Sequence, residues 1–287
     1  MLTVEAPTGA PAAGAVMARA EGENFTVASR ALPRRDRAHL LAIYGYARLV
    51  DELGDSAPGD RLAALDWLEE ELDRAFEGRA QHPLLVRLQP TLRQRALPRA
   101  PFVRLIEANR VDQRVSRYET WDELRGYCSL SADPVGELVL GVLGLATPER
   151  IVLSDSICTG LQLTEHCQDV AEDFAAGRVY LPGEDLRRFG CTTEELSFEH
   201  AAEPLRAVLA FEVARARALL ANGAPLCRAL RGRAGLAVAS FLAGGRAALD
   251  AIERAGFVVL AGPPRAGTGR RLLALAATLS ERGGRPS

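Results

Sequence analysis

The 287-residue sequence contains no lysine; all 35 of its basic residues are arginine. That absence excludes Schiff-base catalysis through a lysine amine, a Walker-type phosphate loop and a kinase-type ATP lysine. Phosphate can still be held by guanidinium forks. Cysteine is sparse: Cys128, Cys158, Cys167, Cys191 and Cys227 form no C-x-x-C pair, and their number is odd. A zinc site or a disulfide framework is therefore not expected, and a reducing compartment is. Charge of one sign is also missing. With 35 basic against 37 acidic residues the net charge is −2, without the basic excess of a nucleic-acid binder. The N-terminal stretch MLTVEAPTGAPAAGAVMARAEGEN has neither the basic start nor the apolar core of a signal peptide. No uninterrupted apolar run reaches the roughly 18 residues of a membrane span; the longest candidates are interrupted by Glu137 and Arg246. A cytoplasmic protein without a nucleic-acid partner is the expectation.

What is present reads as helix. Hydrophobic residues make up 48% and charged residues 25%, a globular composition. Apolar residues at helical spacing run through Arg61–Gly78, with Gly78 as the stop. Similar patterns cover His39–Leu53, Phe102–Tyr118, Trp121–Cys128, Pro134–Leu145, Glu149–Phe174, Ala202–Leu220 and Arg231–Ala255. Pro90 and Pro98 are expected to bracket a turn-rich connector. No alternating strand pattern and no fixed repeat appear, so the expected fold is all-α. Residues 1–22, rich in Ala, Gly and Pro, read as a disordered tail. Residues 23–262 read as one helical domain. Residues 263–287 read as a short apolar helix, Leu272–Leu279, with a flexible end.

Two helices carry polar stripes. In IYGYARLVDELGD, Tyr44, Arg48, Asp51 and Asp55 fall on one face, opposite Ile43, Ala47 and Val50. In LQLTEHCQDVAEDFAAGRVYLP, Gln162, Glu165, Asp169 and Asp173 repeat the arrangement, opposite Leu163, Cys167, Val170 and Phe174. Gly177 ends that helix, and Arg178 and Tyr180 follow. Carboxylates one turn apart repel, which points to a cation between them. Mg²⁺ takes one or two carboxylates and completes its shell with water and phosphate oxygens. Two such faces opposed across a cavity would hold Mg²⁺ and a departing diphosphate, with Arg48 and Arg178 as clamps. A carbocation left behind would be sheltered by apolar and aromatic walls. A solvated face remains the plain alternative for either stripe taken alone.

At these residues the chain resembles a known family. YARLVDELGD and QLTEHCQDVAEDFAAGRVYLP look like the two Asp-rich motifs of the squalene/phytoene synthases, and RYETWDELRGYCSLSADPVG (Arg117–Gly136) resembles a third family segment. The resemblance runs from about Glu23 to about Leu260. It implies a single-domain isoprenoid-synthase helical bundle around a central cavity, acting on isoprenoid diphosphates with Mg²⁺. ENFTVASRALP (Glu23–Pro33) and the S-A-D-P-V-G variant are most similar to the bacterial hydroxysqualene synthases. These convert presqualene diphosphate and water to hydroxysqualene and diphosphate, in squalene and hopanoid biosynthesis. The resemblance makes Asp51, Asp55, Asp169 and Asp173 metal ligands, and Arg48 and Arg178 diphosphate contacts. It places Tyr44, Tyr127, Gln162, Glu165 and Tyr180 in the active site, Tyr127 in a catalytic role, and Ser29 near a substrate diphosphate. A condensing head-to-head synthase, making presqualene diphosphate, squalene or phytoene, is the nearest alternative. A non-catalytic pathway partner is the other. Greasy substrates also make transient contact with a membrane or a pathway enzyme an expectation.

Three positions depart from the family pattern. Glu52 follows Asp51 where a second Asp is common, Glu165 stands at a usual Asn, and Gln168 at the Arg of phytoene-type members. Losing that Arg removes one phosphate clamp. Of the remaining candidates, His166 and the cysteines Cys128 and Cys167 read as structural core. Arg110, Arg114 and Arg117 read as a solvated helical face, with Glu107 and Asp112 as partners. Gly244–Gly245 either admits close helix packing or leaves room for a long hydrocarbon.

Overall fold

The computed structural model describes residues 13–14, 32–198 and 200–283, which are helical without a named strand among them. The expected tail, residues 1–22, lies almost wholly outside them, and so does Ser29. By its internal contacts the chain forms two compact units. The first comprises 1–114 and 134–147, the second 115–133 and 148–287. Because each unit takes two separate stretches of chain, no linker or shift in composition marks the division.

In the first unit, α1 (Arg34–Asp55) packs on α2 (Arg61–Phe76), α3 (Pro83–Arg95) and α4 (Ala100–Asp112). Leu40, Ile43, Tyr46, Leu49, Val50 and Leu53 form its buried stripe. Each such side chain contributes on the order of 2 kcal/mol by leaving water. The Tyr46 hydroxyl donates to the Phe102 carbonyl at 2.9 Å, and its ring meets the Phe102 edge 5.1 Å away. Asp60 caps α2 by accepting from Ala63 N–H at 3.1 Å. Helix α6 (Asp133–Val142) lies in this unit from Pro134 onward.

The expected connector between Pro90 and Pro98 is instead helix α3, with Pro90 inside it. A proline there removes one backbone donor. Burial of Leu84, Leu85, Leu88 and Leu92 outweighs that loss. Helix α4 also stops at Asp112, short of the expected Tyr118. Arg114 and Arg117 therefore share no helical face with Arg110. Arg110 itself is largely covered and pairs with Asp66, Glu69 and Glu107.

Gly54 sits flush against α4. A Cβ there would fall 2.0 Å from Asn109 Oδ1 and 2.7 Å from Asn109 Cγ. Gln113 seals the contact by donating to the Gly54 and Asn109 carbonyls at 2.9 and 3.0 Å. Gly54→Ala should therefore destabilise the protein by about 1–3 kcal/mol, the usual range for overpacking. A denaturant midpoint unchanged from wild type would contradict this packing.

In the second unit, α7 (Pro148–Gln168) lies along α10 (Glu203–Gly223), and both touch α12 (Gly232–Arg254). Glycines permit the close approach. A Cβ on Gly160 or Gly245 would press into Leu220, and one on Gly223 into Ile157. This decides the role of Gly245, which also faces Leu161 at 2.5 Å; Gly244 has no neighbour within 4 Å of its Cβ position. Helix α5 (Trp121–Ser131) opens with a capping box between Thr120 and Glu123 and packs on α7. Buried Asp133 accepts from Thr159 Oγ1 at 2.8 Å and pairs with Arg125 at 2.9 Å. That pairing explains how a charge is accommodated in the S-A-D-P-V-G segment.

The expected helix Glu149–Phe174 is broken at Asp169, whose φ of −102° and ψ of 19° separate α7 from α8 (Val170–Ala175). The hydrogen bonds Asp169 N–Glu165 O and Asp173 N–Asp169 O continue on either side, so the distortion is confined to one residue. After α9 (Gly183–Arg188), a 3₁₀ turn (Thr193–Ser197) and the short α11 (Pro225–Ala229), the chain ends in α13 (Thr268–Gly283). Helix α13 is longer than the expected Leu272–Leu279. It packs on α12 as part of the second unit through Ala274, beside Ala247, Ala251 and Ala266. Among the described residues, α12 alone is long and apolar enough to cross a membrane, but 61% of that window is buried inside the protein.

Candidate active site

The first polar stripe projects from the C-terminal half of α1. Arg48 and Asp51 lie 3.7 Å apart. Although 49% of the Asp51 side chain reaches solvent, enclosure by surrounding protein pushes its carboxyl up to about 6. Arg48 opposes the shift, Asp55 adds to it, a hydrogen bond from Asn109 opposes it and Asp112 adds to it. Asp51, Asp55 and Asp112 thus form one acidic neighbourhood. Tyr44 is buried beneath it. Asn109 was not singled out in the sequence, and Asp112 only as an ion-pair partner of the arginine face, because α4 supplies both from more than 50 residues downstream. Glu52 is partly covered on the same turn.

The second stripe is built where α8 meets the loop after it. Gly177, at φ +81°, turns the chain, and Arg178 N–H closes the helix end on Asp173 O at 2.8 Å. Segment 179–184 then lies beside 116–119. Val179 N–H donates to Ser116 O at 2.8 Å, and Gly183 N–H to Tyr118 O at 2.9 Å. This docking stacks Tyr180 on Tyr118 and Tyr127, at 5.9 and 5.6 Å between centroids. His166 lies over Tyr180 at 4.0 Å, nearly parallel.

His166, read from the sequence as structural, belongs to this site. Gln162 Nε2 stands 3.3 Å from His166 Nε2. With Gln162 donating there, His166 Nδ1–H faces Asp173 Oδ2 at 3.9 Å. Burial lowers the imidazole pKa against the pull of Asp173, so the ring is neutral near pH 7. His166, Val170, Asp173, Arg178, Val179, Tyr180, Leu181 and Leu196 line a small, partly open recess. Asp169 is half-buried, and desolvation, Glu172 and Asp173 all raise its carboxyl pKa, while Arg265 lowers it.

The second unit therefore gathers Gln162, Asp169, Asp173, Arg178, Tyr180 and Tyr127. Glu165 is exposed and does not line the recess. Among the described residues no three His, Cys, Asp or Glu side chains converge on one metal position. The fit is pairwise. Asp51 and Asp169 hold carboxyls raised by desolvation and by the like charges beside them, which a hard divalent cation would relieve. Two carboxylates leave the remaining coordination to water and phosphate oxygens. Arg178 on the rim of the same recess suits an anion, and the aromatic stack beside it suits a cation.

An all-helical fold in which carboxylates stand beside arginine and, in the second unit, beside stacked tyrosines suits a class of enzyme that processes isoprenoid diphosphates. A model of the squalene/phytoene synthase family matches residues 18–272, and the chain belongs to that family. It is 38% identical over 208 residues to a hydroxysqualene synthase of Sinorhizobium fredii, covering 71% of this chain and 70% of that one. It is 35% identical over 210 residues to a phytoene synthase of Arthrospira platensis, covering 68% of each. Among solved structures, squalene synthase HpnC from Alicyclobacillus acidocaldarius superposes with a TM-score of 0.81 at 46% identity. That match covers 85% of this chain and 93% of the other.

Proposed function

We propose that the protein converts presqualene diphosphate and water to hydroxysqualene and diphosphate, with Mg²⁺. The observation that carries this reading is the recess in which Asp173 and Arg178 stand against Tyr180 and the aromatic stack. One wall suits an anion that leaves, the other a cation that remains. The similarity to hydroxysqualene synthases and to squalene synthase HpnC supports the choice of substrate.

Asp51 and Asp55 in the first unit, and Asp169 and Asp173 in the second, are the residues to hold Mg²⁺. Bound there, Mg²⁺ would neutralise charge on the departing diphosphate. Arg178 offers a planar fork to phosphate oxygens, and Arg48 does the same beside Asp51. Loss of diphosphate leaves a cyclopropylcarbinyl cation. The faces of Tyr127, Tyr180 and Tyr118 would shelter it until the ring opens and water adds. Neutral His166 would keep Asp173 and Gln162 in place without adding a positive charge near that cation.

The test is an extraction assay. Purified protein with Mg²⁺, and no nicotinamide, receives either farnesyl diphosphate or presqualene diphosphate, and organic products are identified by mass spectrometry. Hydroxysqualene from presqualene diphosphate alone is the expected result. Presqualene diphosphate, squalene or phytoene formed from simple allylic diphosphates would support a condensing enzyme instead, an alternative that the 35% identity to a phytoene synthase keeps in view. Silence with both substrates from folded protein would indicate a non-catalytic pathway partner.

A further inference from the structure

One end of the second unit is built from α12, residues 255–267 and α13. Helix α13 lies antiparallel to α12. Its Ala274 packs beside Ala247, Ala251 and Ala266. A turn further along α13, Arg246 reaches Thr278 Oγ1 at 3.3 Å and Glu281 Oε2 at 2.8 Å. The first turn of α13 therefore stands at the C-terminal end of α12. The chain between the two helices is fastened in place. Val259 is fully buried. Arg206 donates to the Gly256 carbonyl at 2.8 Å, and Gln168, the last residue of α7, donates to the Pro264 carbonyl at 2.7 Å. Phe257 turns the chain with φ +61°, a conformation rare for an aromatic residue.

This firmly held end keeps apolar side chains on its surface. On α13, Thr278 is buried and Ala274 half-buried, while Leu272, Leu273 and Ala276 fall on the opposite face. Leu272 is 62% exposed and Leu273 71%; Val258, on the connector, is 39% exposed. A lone surface leucine needs no explanation, but adjacent ones rimmed by charge mark an interaction site. The rim here is of one sign. From Arg254 to Ser280 the chain carries Arg254, Arg265, Arg270 and Arg271 and no acidic residue. All four arginines are exposed. The one acid of α13, Glu281, pairs with Arg246, and Asp250 and Glu253 of α12 pair with Arg217. Folding gains nothing by leaving two leucines in water, so their place on a firmly held helix points to a partner that is both apolar and anionic.

We propose that this end of the second unit docks on an anionic lipid bilayer. Leu272 and Leu273 enter the boundary between headgroups and acyl chains, and the arginines meet the lipid phosphates. At 16 residues α13 is too short to span a bilayer, so it lies on the surface. Apolar insertion and basic attraction are each weak alone, and together they give reversible binding. A second copy of this chain, joined through the same face, would set arginine against arginine, and that repulsion opposes self-association. Docking needs no catalysis, so its test is separate from the extraction assay above.

The experiment is sedimentation of the full chain with vesicles of phosphatidylcholine, either pure or with one third phosphatidylglycerol. The wild type should pellet with the anionic vesicles and stay in solution with the neutral ones. Salt at about 0.5 M should release it, because screening weakens the attraction between arginine and phosphate. Leu272→Ser combined with Leu273→Ser should weaken partition about tenfold or more. Arg270→Gln combined with Arg271→Gln should weaken it about tenfold. Both double variants should keep the wild-type melting temperature. Failure of the wild type to bind anionic vesicles overturns the proposal, as does wild-type partition in either double variant. A lower melting temperature in the leucine variant would mean that the protein covers those leucines itself. Concentration-dependent self-association of the wild type, lost in the leucine variant, would mean that a second copy covers them. Either result overturns the lipid assignment.

Discussion

Asp169→Asn should reduce turnover of an isoprenoid diphosphate by about three orders of magnitude and leave the fold intact. Asp169 lies half-buried beside Glu172 and Asp173, with its carboxyl already raised by desolvation and by their charges. Removing its charge relieves repulsion in the free protein, so the melting temperature should hold or rise slightly. Catalysis should suffer because, in the function proposed above, Asp169 holds Mg²⁺. A metal that polarises phosphoryl oxygens supplies several kcal/mol of transition-state stabilisation, and each 1.36 kcal/mol is a factor of ten. Asp51→Asn should behave alike, since Asp55 and Asp112 crowd Asp51 in the same manner. Steady-state turnover, measured beside a thermal melt, separates the two effects. Turnover near wild type in either folded variant would remove the metal assignment.

The second large effect concerns stability. Arg215 bridges Asp185 at 2.8 Å and Glu212 at 2.5 Å, and both carboxylates are almost fully buried. Its guanidinium also lies over Trp121 and Phe211, at 4.6 and 4.7 Å from the ring centroids. Arg215→Met should destabilise the second unit by about 3–5 kcal/mol, the range for stripping one partner from a buried ionic cluster. Glu212 gives this cluster a pH dependence. Desolvation pushes its carboxyl up to about 8, opposed by Arg215 and reinforced by Asp185. The folded state therefore holds that proton more tightly than the unfolded chain. The associated stability is complete below the ordinary glutamate range and is lost as pH rises through about 8. Glu212→Gln cannot titrate, so its melting temperature should gain on wild type between pH 5 and pH 8. A constant difference across that range would refute the assignment.

The helices and their polar stripes were legible in the sequence because helical spacing follows from local geometry. Tyr44, Arg48, Asp51 and Asp55 share one helix, and their common face needs no partner to define it. The Gly177 stop was legible for a similar reason, since only a residue tolerant of positive φ closes α8 there. Pro90 misled, because a local helix breaker says nothing of the leucines that α3 buries against its neighbours. The break at Asp169 was invisible, since apolar periodicity runs through it. His166 was undervalued: its flat contact with Tyr180 depends on segment 179–184 docking beside 116–119. Asn109 carried no signal, since it lies far along the chain from Asp51, to which it donates.

By itself the sequence determined the all-helical class, the family and the two carboxylate stripes, all of which depend on residue type and spacing within single segments. Only the tertiary structure decided which residues surround those stripes. Asn109 and Asp112 reach Asp51 from another helix, Tyr118 reaches Tyr180 across a backbone docking, and Gln168 reaches the Pro264 carbonyl. These encounters depend on how buried surfaces pack, and packing joins residues whose distance along the chain contains no record of it.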